Sequence, residues 1–467
     1  NDGKGSFRSD PMALPRNLTS KSCVRAIDFD KDGDLDLFVA GRVEPWNYPK
    51  PVSSFIYRND TKTGQAGQVK FTDLTAQVAP GLSGIGLVCD ALFTDYDNDG
   101  WADLVLAGEW MPVTFLKNDK GAFKNINPRL KGKTDTVDNT INNTTGSPEN
   151  NGVAQTLSSQ VGWWNSITGG DFDNDGDIDY VLGNLGNNSY FKADAGHSVS
   201  IYSKDFDNNG SYDAFLSLYL PTSQDTLTKK EYPASLRDDV IGQMTGMRSK
   251  FRNYKSYAHT SMDQFFSAEQ LTGVLKLKAN NFNSVFYRND GGNKFTLIPL
   301  PGVAQLSALN GMIADDFDGD GNLDLMINTN DFGTDVSVGR YDALNGLVLK
   351  GDGKGNFEPQ SMLQSGVYIP GNGKALVKLR NKNGKYLVAA AQNRGPLKLY
   401  ELKQSSKTIA ILPNDVVAEL IYKNGKKQRH EFYYGSSFLS QSTRFMPVAA
   451  DVVSIEVISS NGQKRRF

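Results

Sequence analysis

The stretch DFDNDGDID (171–179) puts aspartate at its first, third, fifth, seventh and ninth positions and glycine at its sixth. The same frame returns at DFDKDGDLD (28–36), DYDNDGWAD (95–103), DFDNNGSYD (205–213) and DFDGDGNLD (316–324). Oxygen side chains at alternate positions, a glycine for a sharp turn and a backbone carbonyl just after it build a cage for a hard cation. Calcium, which takes six to eight oxygens in flexible geometry, suits such a cage. An ordinary Asp/Asn/Gly turn would explain one such string; five in one register carry the calcium reading. The EF-hand alternative needs a glutamate at position twelve. Val39, Leu106, Leu182, Leu216 and Ile327 stand there, which excludes it. The closing carboxylate is at position nine instead. The expected ligands of about five calcium ions are therefore Asp28, Asp30, Asp32, Asp34 and Asp36; Asp95, Asp97, Asp99, Trp101 and Asp103; Asp171, Asp173, Asp175, Asp177 and Asp179; Asp205, Asp207, Asn209, Ser211 and Asp213; and Asp316, Asp318, Asp320, Asn322 and Asp324. Position seven contributes through its backbone.

Short apolar runs flank each loop, such as CVRAI (23–27) before and LFVAG (37–41) after, so each unit reads strand, loop, strand. A second element recurs downstream: FIYRND (55–60), TFLKNDKGAF (114–123), VFYRNDGGNKF (285–295) and LVLKGDGKGNF (347–357) read as outer hairpins. The last of these lacks the spacing of a phosphate loop. An inner and an outer hairpin make a four-stranded unit, and repetition of such units points to a β-propeller. The D-x-D-x-D-G-x-x-D loop between strands resembles the FG-GAP/VCBS repeat of integrin α chains and cartilage acidic protein, over residues 1–405. GEWMPVTFLKN (108–118), GWWNSI (162–167) and DYVLGNLGNNS (179–189) resemble a large class of Bacteroidota surface repeat proteins.

The expected fold is all-β: a propeller of seven blades over 1–405, six or eight staying open because only 34 residues separate Asp171 from Asp205. NDGKGSF (1–7) matches an outer-hairpin turn, so the chain reads as starting within a blade. A decayed unit at 377–402, with Arg380, Lys382 and Gly384 where ligands belong, should bind nothing. The insertion at 128–160, rich in Asn, Thr and Gly, reads as a surface loop. In the insertion at 221–270, Val240, Met244, Met247 and Phe251 share one face of a helix, which reads as packing on the propeller rim, a partner surface being the alternative. Residues 406–467 form a small β domain; Glu431 and GSSFLSQS (435–442) resemble the ASPIC/UnbV module, without its Gly-Leu-Gly stretch.

A formal net charge of −2 argues for neither nucleic acid nor strong acidity. No apolar run is long enough for a transmembrane helix. Cys23 and Cys89 read as buried thiols, a disulfide being the alternative. His197, His259 and His430 have no metal-ligand spacing, and Trp163 and Trp164 read as packing. The expectation is a non-enzymatic, calcium-stabilised interaction module on the extracellular face of the outer membrane or secreted. The Bacteroidota resemblance implies surface-protein partners and an accessory place in a SusC/SusD-type uptake complex. The alternative is a glycan binder or a polysaccharide lyase working through RSKFRNYKSY (248–257), with Tyr254 or Lys255 near its base.

Overall fold

The computed structural model describes residues 4–61, 69–131, 156–222, 225–403 and 407–467. With 44% strand and 10% helix, the chain is all-β, and its strands form successive antiparallel sheets. The first sheet runs Ser20–Ile27, Asp36–Val43, Phe55–Asn59, Phe71–Asp73, each strand pairing with the next. The second runs Leu87–Thr94, Asp103–Pro112, Thr114–Asp119, Ala122–Ile126, with Val161–Trp163 added beside Asp103–Pro112. The fourth is Leu309–Asp315, Asp324–Thr329, Leu347–Gly351, Phe357–Gln360, and the fifth has three strands, Gly373–Arg380, Tyr386–Gln392 and Lys398–Glu401. The four outer hairpins read from the sequence at 55–60, 114–123, 285–295 and 347–357 form.

The third sheet departs from the expected order. Ser166–Gly170 pairs with Asp179–Gly183, but the latter's other neighbour is Val285–Asn289, about a hundred residues on, followed by Lys294–Pro299. Between them lies a complete further sheet, ordered Asp225–Pro233, Asp213–Thr222, Val199–Lys204, Leu275–Ala279. The Asp205 unit is thus an insertion into the third sheet and not its successor. That accounts for the short gap between Asp171 and Asp205.

The first strands of the five main sheets neighbour one another in order: Ser20–Ile27 beside Leu87–Thr94, then Ser166–Gly170, Leu309–Asp315 and Gly373–Arg380. Apolar side chains fill each gap. Phe38, Phe93, Leu104 and Phe123 pack between the first and second sheets, and Val105, Phe115, Trp164 and Tyr180 between the second and third. Phe172, Phe286 and Leu325 join the third to the fourth, and Met326, Tyr386 and Val388 the fourth to the fifth. Sheets covered on both faces bury both sides of a strand, and Leu87–Thr94, apolar but for Asp90 and Thr94, is buried at every position.

The C-terminal region adds a sheet ordered Lys427–Glu431, Asp415–Tyr422, Val452–Ser459, Lys464–Arg466, and a strand pair, Lys407–Ala410 with Phe445–Val448. The expected boundary at 405/406 falls among residues 404–406, outside the described residues. Its connecting segment runs against the first strands: Ala26 bridges Tyr434, Met312 N–H donates to Ser437 Oγ at 2.7 Å, and Thr443 N–H donates to Lys378 O at 2.9 Å. Gly169 is a glycine for this contact, since a Cβ there would lie 2.7 Å from Tyr433 Oη.

The expected long helix is instead a set of short ones, beginning Arg237–Gln243 and Met247–Lys250, because Met244 is extended and Gly246 starts the next turn. Val240, Met244, Met247 and Phe251 still share one cluster, packed on Tyr202 and Phe215 of the inserted sheet. Of the 128–160 loop, residues 132–155 lie outside the described residues. Residues 4–7 of the opening stretch form no strand.

Candidate metal centres

Each acidic loop joins the first strand of a sheet to the second. Position four is left-handed in every loop: Lys31, Asn98, Asn174, Asn208 and Gly319 have φ of 61°, 58°, 60°, 59° and 80°. Glycine and asparagine tolerate that conformation best. The glycine at position six is also left-handed, and its N–H donates to the position-one carboxylate: Gly33 to Asp28, Gly100 to Asp95, Gly176 to Asp171, Gly210 to Asp205 and Gly321 to Asp316, at 2.9–3.2 Å. Position seven (Asp34, Trp101, Asp177, Ser211, Asn322) donates its N–H to the position-five side chain (Asp32, Asp99, Asp175, Asn209, Asp320) at 2.9–3.1 Å.

This wrapping brings carboxylate oxygens within 4.8 Å of one another in all five loops: Asp28, Asp30, Asp32; Asp95, Asp97, Asp99; Asp171, Asp173, Asp175; Asp205, Asp207, Asp213; and Asp316, Asp318, Asp320. The position-nine aspartates have a second task. Asp36, Asp103, Asp179 and Asp324 are buried, and each accepts one N–H from position two of its own loop and one from the third strand. They knit loop to sheet, and only Asp213 joins its loop's carboxylate triplet.

Two observations fit a bound cation. Asp28 Oδ1, Asp34 Oδ1, Asp95 Oδ1, Asp97 Oδ1 and Asp173 Oδ1 are buried without any hydrogen-bond partner, a state folded proteins rarely leave standing. Burial, with like-charged neighbours adding to it, also pushes six loop carboxyls up: Asp95, Asp173 and Asp316 to about 6, Asp171 and Asp324 to about 7, and Asp103 to about 8. The loops fit a hard divalent cation by their all-oxygen donor set; calcium itself is the expectation from the sequence.

The hairpin motif carried a feature whose meaning only the structure reveals. Its basic residue lies beside the loop. Lys117 Nζ contacts Asp97 and sits 2.8 Å from Asp99; Lys350 Nζ contacts Asp318 and sits 3.0 Å from Asp320. Arg58 and Arg288 turn instead to Asp60 and Asp290. A lysine on the loop competes with a metal for the same oxygens. Lys117→Gln and Lys350→Gln are therefore expected to tighten calcium binding at their own loops by about three- to tenfold. Calorimetric titration with calcium reads this directly, and unchanged or weaker affinity would count against the competition.

Strand Lys427–Glu431 closes over three of these loops, those beginning at Asp95, Asp171 and Asp316. Arg429 N–H donates to Asp171 Oδ2 at 2.9 Å, and its guanidinium reaches Asp95 Oδ2 at 3.0 Å. Asp95 N–H donates to half-buried Glu431, and Gln428 Nε2 donates to Asn174 and to Gly321 O. Among the remaining candidates, His430 is half-buried and its pKa is lowered to about 4 by desolvation, which keeps it neutral. Cys23 and Cys89 are free buried thiols, pushed up to about 12 by burial. Tyr254 is exposed and donates to Asp238, which raises its pKa, opposite to what a catalytic base needs.

No family model matches the chain, and no curated protein does. Among solved structures, the crystal structure of the V. cholerae biofilm matrix protein Bap1 aligns with 99% of this chain at 12% identity and a TM-score of 0.24. The chain covers 61% of that protein's length. At that TM-score the likeness carries no argument about fold or function.

Proposed function

We propose that the chain is a metal-stapled β-propeller of the FG-GAP/VCBS kind, working as a non-enzymatic interaction scaffold on the outer face of the bacterial outer membrane. Support for the propeller comes from five sheets whose first strands neighbour one another in order, with an apolar layer in each of the four gaps between them. The observation that carries the scaffold role is where the acidic loops spend their polar groups. Their carboxylates hold their own backbone, the third strands and Arg429 of the C-terminal strand. A carboxylate committed in this way, and to a cation as well, is a poor acid or base. Calcium at the roughly millimolar levels outside cells would keep such loops filled. Surface proteins are the partners this reading names, and an accessory place in a SusC/SusD-type uptake complex is the assembly implied by the sequence resemblance.

The test is recovery from the native host. The tagged chain, purified from outer membranes in mild detergent with calcium, should bring down a porin or lipoprotein in stoichiometric amount. Recovery of the chain alone would overturn the scaffold reading.

A further inference from the structure

At the far ends of the first strands, away from the acidic loops, a cleft of about 370 Å³ opens between the second, third and fourth sheets and the helical insertion. One wall is aromatic. Trp163 meets Phe191 at 5.1 Å between ring centroids and 69° between planes, and Phe191 meets Tyr190 at 5.4 Å and 72°. Three rings in near-perpendicular sequence present faces in different directions. Tyr190 keeps 43% of its surface exposed.

The other walls are acidic. Glu109, Asp239, Asp331 and Asp335 all line the cleft, and among the described residues no Lys, Arg or His does. Two of these charges are met from behind: Arg42 holds Glu109 at 2.7 Å and Lys374 approaches Asp331 at 3.4 Å. Asp239 and Asp335 are exposed and pair with no basic side chain among the described residues. A concave wall of one sign concentrates ligands of the other sign, and aromatic faces attract organic cations most strongly when partly desolvated. Neutral saccharides can hydrogen-bond these carboxylates but carry no charge to answer theirs.

We infer that this cleft binds an organic cation, an alkylammonium or guanidinium group on an apolar stem, seated against Trp163, Phe191 and Tyr190 with its charge towards Asp239 and Asp335. Such a group reaches the cleft either on a free amine or on the lysine or arginine side chain of a peptide. The inference stands apart from the metal loops and from the scaffold reading.

The full chain, kept in calcium, would be titrated with tetramethylammonium, putrescine, a short lysine-containing peptide and a neutral disaccharide. Calorimetry and tryptophan fluorescence give the readouts. At least one cation should bind and weaken with salt, and free amine against peptide identifies the source. The double variant Asp239→Asn with Asp335→Asn, and separately Tyr190→Ala, should lower affinity by about tenfold with unchanged melting, because all three side chains are substantially exposed. The inference is overturned if none of the cations binds, if the variants bind as well as the parent, or if the disaccharide binds more tightly than every cation.

Discussion

Chelating calcium at pH 8 should lower the melting temperature by about 10 °C, and the loss should shrink steadily towards pH 5.5. Extracellular calcium modules bind with dissociation constants of roughly 10⁻⁴–10⁻³ M. At 10 mM calcium each filled site then adds about 1.4–2.7 kcal/mol. Five loops acting independently sum to on the order of 10 kcal/mol, or about 10 °C for a chain of this size. The pH dependence follows from the raised carboxyls. In the metal-free protein Asp95, Asp173 and Asp316 titrate near 6, Asp171 and Asp324 near 7 and Asp103 near 8, chiefly through burial. In the unfolded chain they titrate near the usual value of about 3.9. A folded pKa above the unfolded one means that the native state holds the extra proton. Its stabilisation is complete below the unfolded pKa and is lost as pH rises through the folded values. The calcium-free protein should therefore weaken between pH 5.5 and 8, while the calcium-loaded protein, whose carboxylates face a cation, should not. Calcium affinity should rise over the same interval. Melting curves with and without chelator that coincide at pH 8 would remove the metal from the account of stability.

What the sequence made legible was local. In the first, second and fourth sheets the loop register, the strands on either side and the hairpin that follows all lie within 40–54 residues, and each appears where the spacing places it. The carboxylate triplets were legible for the same reason. Long-range pairing was not. Val181 pairs with Phe286, and nothing in either strand says that a whole sheet stands between them in the chain. One clue was present: no basic-Asn-Asp hairpin directly follows the Asp205 unit, whereas VFYRND at 285–290 supplies the hairpin that the Asp171 unit lacks. The helical face was legible as a buried face but not as an element, because two short helices with an extended residue between them bury the same four side chains as one long helix would. The position-nine aspartates show a related limit. Their spacing announces a ligand, while the hydrogen bond that each accepts from the third strand is visible only in three dimensions.

Asp90→Ala should cost about 3–5 kcal/mol, more than any loop substitution, and more than Arg25→Met. The two side chains form an ion pair with only 3% and 0% of their surfaces exposed. Arg25 Nε donates to Ala91 O at 2.7 Å and Nη2 to Ser437 O at 3.0 Å, while Asp90 Oδ2 accepts from Ile167 N–H at 3.1 Å. One pair thus ties together the first strands of three sheets and the C-terminal segment. Gly435 leaves the room, since a Cβ there would lie 2.5 Å from Arg25 Cδ. Burial works against the guanidinium's charge, but Asp90 and its neighbours outweigh it, and the arginine's pKa is raised. The asymmetry between the two deletions comes from proton chemistry. An arginine left alone in the interior cannot shed its charge, whereas an aspartate can take up a proton and become neutral. Arg25→Met should therefore be the milder change, and its penalty should ease as pH falls, because the stranded carboxyl's folded pKa lies above its unfolded one. Asp90→Ala should show no such relief. Urea denaturation of both variants at pH 5.5 and pH 8 separates the outcomes. Equal penalties with equal pH dependence would mean that the pair acts through packing alone, and that the charge at the meeting point of the three sheets and the C-terminal segment is incidental to how they are held.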